Sequence, residues 1–193
     1  MNLYLGIDIG TTSIATVIID KSDLLVKSVF ASPHNAYIPK KNGFAEQDVD
    51  IILSMADQLI RSHPMSLIQK VKAIGVAGQM HGILLWNKTT KKHSNLITWQ
   101  DKRASIENIL DDFKKKKNCS KLYDGLGLTT RATIYYNQKK NLNEDVFNLE
   151  KNEYNCCGTI MDYIVWLYTG SQEKPSIDYT NAASWGLFDI ETN

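Results

Sequence analysis

The sequence predicts an α/β fold with a mixed central sheet and flanking helices. Short β-branched runs open the chain and are joined by tight turns, whereas later apolar positions fall at helical spacing and alternate with further short runs. The 193 residues are 43% hydrophobic and 22% charged, enough apolar matter for the buried core of one domain or slightly more.

Leu3 to Asp8 and Ile14 to Ile19 read as two strands joined by a Gly-Thr-Thr turn, and Leu24 to Ala31 supplies a third. Val49, Ile52, Leu53, Ala56, Leu59 and Ile60 share one helical face, with Asp48 and Asp50 at its start and Pro64 beyond its end. Val71 to Val76 reads as a buried strand, and Ile83 to Trp86 and Leu96 to Trp99 as further short ones. A second amphipathic helix is expected from Ala104 to Lys117, its lysines at the carboxyl end where they favour the helix dipole. Residues 137 to 153 are polar and Asn-rich, a helix and surface loop, and Gly158 to Tyr168 is apolar enough for a buried helix closed by Gly170.

Lys and Arg number 22 against 21 acidic residues, so a net charge of +1 gives no field to attract nucleic acid or an anionic membrane. No apolar stretch is long enough to span a bilayer, and the opening segment lacks a basic start and carries Asp8, unlike a secretory signal. Cys119, Cys156 and Cys157 make an odd count without metal-ligand spacing, so reduced thiols in the cytoplasm are expected. Asn87-Lys88-Thr89 matches a glycosylation acceptor, a pattern short enough to arise by chance.

Three segments carry chemistry. The first is Gly6-Ile7-Asp8-Ile9-Gly10-Thr11-Thr12-Ser13, which sets a carboxylate, a glycine and three hydroxyls around a turn between strands. Gly10 lets the backbone approach phosphate oxygens, the turn's N–H groups can point at them, and Thr11, Thr12 and Ser13 add hydroxyl donors. The same spacing also suits a plain hairpin. Asp8 favours the phosphate reading, because a carboxylate ending an apolar strand is costly to bury alone and a hydrated Mg²⁺ is a good partner. The second segment, Gly78-Gln79-Met80-His81-Gly82, offers an amide and an imidazole flanked by glycines, which suits hydrogen bonding to a polyol, although a lone histidine at a strand end also serves structure. Trp99-Gln100-Asp101 adds an aromatic face and a carboxylate, suited to sugar contacts, to orienting a neighbouring loop, or to capping the helix near Ala104. Arg131 reads as a surface cation.

Gly6 to Ser13 is similar to the first phosphate motif of the actin-like ATPases and sugar kinases, although Ala15 stands where those proteins often carry Lys or Arg. Gln79-Met80-His81-Gly82 and Trp99-Gln100-Asp101-Lys102-Arg103 resemble the sugar-binding turn and the Trp-x-Asp-x-Arg signature of the FGGY carbohydrate kinase family. Glu46-Gln47-Asp48 fits that family, or is simply an acidic helix start. Gly158 to Tyr163 and Asp178 to Gly186 are similar to its sedoheptulose-phosphorylating branch, with Asp178 and Asn181 equally readable as turn residues.

The resemblance runs from Leu3 to about Asp189 and implies an actin-like (ribonuclease H-like) ATPase domain, residues 1–193, the amino-terminal half of a two-domain kinase. It implies ATP and Mg²⁺ as cofactors, with Asp8, Gly10, Thr11, Thr12 and Ser13 holding nucleotide and Asp8 the metal. Gln79, Met80, His81, Gly82, Trp99 and Asp101 would hold a ketose sugar. The activity implied is phosphorylation of sedoheptulose to sedoheptulose 7-phosphate; a xylulokinase-like or other FGGY kinase, or a non-catalytic sugar-binding module, are the alternatives. The family's general base, an aspartate, lies near the start of the second domain. Residues 1–193 alone are therefore expected to be inactive or nearly so.

Overall fold

The computed structural model describes residues 2–40, 43–101, 154–171 and 174–184. The elements in chain order are β1 (Leu3–Ile9), β2 (Ser13–Asp20), β3 (Val26–Pro33), β4 (Tyr37–Ile38), β5 (Glu46–Gln47), α1 (Val49–Ser62), α2 (Met65–Ile68), β6 (Val71–Gly78), β7 (Leu84–Trp86), β8 (Leu96–Ile97), β9 (Cys156–Gly158), α3 (Ile160–Tyr168) and α4 (Tyr179–Ser184). They divide into two compact units, the first Met1–Ala36 with Asp48–Gln79, the second Tyr37–Gln47 with Met80–Asn193. The expected helix from Ala104, the segment 137–153 and Arg131 lie outside the described residues.

The first unit is a four-stranded mixed sheet in the order β3-β2-β1-β6. β1 runs antiparallel to β2, with Asp8 opposite Ala15 and Ile9 opposite Ile14, and parallel to β6, with Asp8 opposite Ala77. Period-two alternation sends Leu3, Leu5, Ile7 and Ile9 of β1, and Ile14 and Ile18 of β2, into the core, each at most 2% exposed. Burial of a side chain of this size stabilises the fold by about 1.5–3 kcal/mol. α1 packs on β2 and β3 and buries Val49, Ile52, Ala56 and Leu59. Asp48 caps it, its carboxylate accepting from the N–H groups of Asp50 and Ile51 at 2.9 and 3.2 Å. The acidic helix start is thus a structural device, as one reading of Glu46-Gln47-Asp48 had it.

Two expectations are corrected. The third strand begins at Val26 rather than Leu24, because Leu24 takes a left-handed backbone (φ 58°) in a turn that Asp20 organises through Ser22 N–H and hydroxyl. β6 is mostly exposed rather than buried, with Ile74 50% accessible, since it stands at the end of the sheet order and pairs only with β1 among the described residues.

The second unit contains the small sheet β4-β5-β8 and the pair β7-β9, with an isolated bridge between Ile83 and Ile97. Its core gathers Trp86, Tyr163 and Trp166, whose ring centroids lie 5.3 to 5.9 Å apart. Gly158 belongs to β9, and the buried helix starts two residues later at Ile160. Thr159 and Asp162 form a capping box, and Gly170 follows the helix end with φ 89°. Asn87 is buried, and its carboxamide oxygen accepts from Thr89 and Thr90 N–H at 2.8 and 2.9 Å, a turn role that accounts for the Asn-Lys-Thr tripeptide.

Candidate functional site

In the first unit the β1–β2 connection is a tight turn closed by Gly10 N–H to Ser13 C=O, 2.9 Å. A Cβ on Gly10 would stand 3.1 Å from that same Ser13 oxygen, which accounts for glycine there. Thr12 and Ser13 are exposed and Thr11 is half-buried. Gln79 prolongs the β1–β6 pairing by one residue, donating its N–H to Ile9 C=O at 2.8 Å, and its buried carboxamide oxygen faces the Thr11 hydroxyl at 3.5 Å. The fold therefore brings Asp8, Gly10, Thr11, Thr12, Ser13 and Gln79 to one end of β1.

Asp8 is exposed, and this corrects the burial argument made for a metal partner. Its neighbours in register, Ala15 and Ala77, are small, so the carboxylate stands in open space on the sheet face opposite the core. That environment fits a hydrated Mg²⁺, which keeps most of its waters and needs only one or two carboxylates beside substrate phosphates. No cluster of three or more His, Cys, Asp or Glu residues with metal-binding geometry occurs among the described residues, so a dedicated all-protein metal cage is absent from them.

Past Gln79 the chain enters the second unit. Met80 is 39% exposed, and His81 takes a left-handed backbone with φ 62°. Such a conformation costs a non-glycine residue about 1 kcal/mol or more. The His81 Nδ1 atom is buried and has no hydrogen-bond partner among the described residues. Most buried side-chain polar atoms are paired, so this nitrogen has a hydrogen bond left to make. Gly82 presses on β8, where a Cβ would stand 3.1 Å from Ile97 O and 3.2 Å from Leu96 Cδ1.

Trp99 is 46% exposed. Asp101 is 3% exposed, and its Oδ2 accepts the Ala45 N–H at 2.8 Å while the Ala45 carbonyl accepts from Thr98 N–H and hydroxyl at 3.0 and 3.2 Å. Asp101 thus orients the loop that leads into β5, and the helix it was also expected to cap lies outside the described residues. Glu46 is buried beside Lys40 at 3.1 Å and accepts from Asn95 Nδ2 at 2.8 Å.

The two later segments meet in the second unit. Asp162 is buried and accepts from Thr159 N–H (2.7 Å), from the Thr159 hydroxyl (2.9 Å) and from Asn181 Nδ2 (3.2 Å). Burial pushes the Asp162 carboxyl above the usual carboxylate range, and the Thr159 and Asn181 donors oppose that rise. Asp178 is a turn residue, accepting from Thr180 and Asn181 N–H, whereas Asn181 bridges to α3. Sequence reasoning passed over Asp162, although Thr159-x-x-Asp162 spells a helix start. It passed over His34 as well, which stands behind the β1–β2 turn and has no local pattern to mark it.

The chain resembles the sedoheptulokinase of Mus musculus, 29% identical over 97% of this chain and 42% of that protein. In structure it is similar to glycerol kinase of Plasmodium falciparum crystallised with ADP, with a TM-score of 0.78 and 23% identity over 100% of this chain and 38% of that one. A ligand-bound xylulose kinase from Lactobacillus acidophilus gives a TM-score of 0.75 and 25% identity, again over 100% of this chain and 38% of that one. The chain thus spans about two fifths of the length of the relatives it matches, and its architecture is the actin-like ATPase fold that such kinases share. Residues 3–193 match the N-terminal domain of the FGGY family of carbohydrate kinases, and the chain belongs to that family.

Proposed function

We propose that the protein carrying this domain is an ATP-dependent ketose kinase whose substrate is sedoheptulose, converted to sedoheptulose 7-phosphate. The observation that carries the sugar side is His81, with its strained backbone and its buried, unpartnered Nδ1. A sugar hydroxyl supplies the missing hydrogen bond, and the cost of the left-handed backbone is offset when it does. Gln79, Met80 and Gly82 flank it in sequence, Trp99 is exposed, and Asp101 holds the backbone at Ala45. The choice of sedoheptulose is supported by the likeness to sedoheptulokinase and by the Gly158–Tyr163 and Asp178–Ser184 segments that meet at Asp162.

Phosphoryl transfer is chiefly a matter of positioning and charge neutralisation. The turn from Gly10 to Ser13 would hold phosphate oxygens through N–H groups and hydroxyls, and the exposed Asp8 carboxylate would hold a hydrated Mg²⁺. That ion, when bound, neutralises charge on the phosphates. The family resemblance implies that the proton leaving the sugar's terminal hydroxyl passes to an aspartate of a second domain, and residues 1–193 span about two fifths of the length of the relatives they match.

The test is an ADP-release assay with sedoheptulose, xylulose and glycerol, run on the complete gene product and on residues 1–193. The expected result is a kcat/KM for sedoheptulose at least ten times that for the other two in the complete protein, with none detectable for residues 1–193. A strong preference for xylulose would move the protein to another branch of the family. Sugar binding without turnover by the complete protein would make it a binding module.

A further inference from the structure

We infer that His34, on the loop after β3, is a positioning residue that sets the peptide planes of the phosphate turn. This deepens the kinase reading above and rests on it. His34 is 3% exposed and sits wholly within the first unit. Its Nδ1 accepts the Ala36 N–H at 3.1 Å, so Nδ1 carries no proton in the neutral ring and Nε2 does. Nε2–H is then the donor toward the Gly10 carbonyl at 3.3 Å. The His34 backbone N–H donates to the Thr12 carbonyl at 3.2 Å. One residue thus grips two carbonyls of a four-residue turn from behind.

A trans peptide points its N–H opposite to its C=O. Tying the Gly10 carbonyl toward the imidazole therefore turns the Thr11 N–H away from the ring, and the Thr12 carbonyl, held by the His34 backbone N–H as the β2–β3 pairing continues, turns the Ser13 N–H away from β3. Those groups belong to the set proposed to meet phosphate oxygens. Fixing them beforehand spares the ordering cost that a loose turn would incur when nucleotide binds. The loop is shaped for this purpose: Asn35 adopts φ 53°, a conformation asparagine tolerates, and this brings Ala36 N–H back onto the His34 ring. Burial holds the imidazole below its usual pKa and so keeps it neutral, with a single ring N–H to give.

Two substitutions separate the grip on Gly10 from the local turn. In His34→Asn the side-chain oxygen falls near the place of Nδ1 and can still accept from Ala36, but nothing reaches Gly10. In His34→Gln the amide nitrogen falls near the place of Nε2 and can still donate to Gly10. The measurement is kcat/KM for ATP at saturating sugar, with the sugar KM and the ligand-free Tm, on the complete gene product. The expected result is a loss of about tenfold or more in kcat/KM for ATP in His34→Asn, an unchanged sugar KM, and recovery of most of the loss in His34→Gln. A residue that only shapes its own loop gives the reverse order, with Asn tolerated and Gln damaged, and that result overturns the inference. Equal activity of His34→Asn and the parent also overturns it while leaving the kinase reading intact. A parent protein with no ATP-dependent sugar phosphorylation overturns both.

Discussion

Asp8 and Asp101 are both aspartates that follow an apolar run, yet they are built for opposite tasks. Leu3, Leu5, Ile7 and Ile9 fill the core face of β1, so alternation alone puts Asp8 on the other face, where it is exposed between two alanines in register. That alternation was legible in the sequence and outweighs the supposition that a carboxylate at the end of an apolar strand is buried. Asp101 is the buried one, committed to the Ala45 N–H at 2.8 Å. Asp8→Asn is expected to leave the urea midpoint within the range of a surface change, about 0.5 kcal/mol, and to abolish Mg²⁺-dependent turnover. Asp101→Ala removes the acceptor of a buried N–H and is expected to cost about 1–3 kcal/mol. Urea denaturation paired with the kinase assay checks both, and a destabilised Asp8→Asn would show that its carboxylate supports the fold rather than the metal. The unpaired Nδ1 of His81 and the partners of His34 were not legible, because each depends on segments brought together by the fold: the imidazole of His34 meets a turn 24 residues earlier in the chain.

Among the described elements, strands and helices with strong periodicity were legible to within two residues, and the boundaries shifted where side chains intervene. The Gly158–Tyr168 run reads as one apolar helix, but its first residue is a strand residue held in a space that admits no side chain. A Cβ on Gly158 would stand 2.9 Å from Trp86 Cη2 and 3.0 Å from both Cβ and Oδ2 of Asp162. The indole is fully buried against Tyr163 and Trp166, and Asp162 is fixed by Thr159 and Asn181, so neither can yield cheaply. Gly158→Ala is therefore expected to destabilise the second unit by about 1–3 kcal/mol, the usual range for overpacking. Near-ultraviolet circular dichroism of the tryptophans during a urea titration reports it. An unchanged midpoint would mean that β9 can move away from α3. The polar contacts at Asp162 and Asn181 also give a physical reason for two segments whose similarity to the family was legible only as a string of letters.

At the scale of the whole molecule, acid sensitivity follows from where the histidines lie. The mixed sheet and the helix on it were legible from composition and period, but the sequence offered no sign that two of the four histidines are buried in the first unit. His34 grips the turn, and His63, at the end of α1, reaches Ser28 Oγ at 2.8 Å and Thr16 Oγ1 at 3.0 Å across β3 and β2. Burial lowers the pKa of both. An imidazole whose folded pKa lies below its unfolded value, about 6.5, binds more protons when unfolded. The stability it contributes is thus present above that pH and is lost as pH falls from about 6.5 toward the folded pKa. Linkage limits the loss to about 1.4 kcal/mol for each histidine at pH 5.5. Asp162 acts in the opposite sense: its raised pKa favours the fold when it is protonated, a contribution fully present below 3.8 and lost as pH rises from there toward the folded pKa. Urea denaturation at pH 7.5 and pH 5.5 is expected to show lower stability at the acid pH. A His34→Gln, His63→Gln protein, which has no buried imidazole in the first unit to protonate, is expected to lose that dependence even if it is less stable at both values. If the double variant keeps the full slope, the acid sensitivity arises from groups other than these two histidines, and their burial in the neutral form is not what sets it.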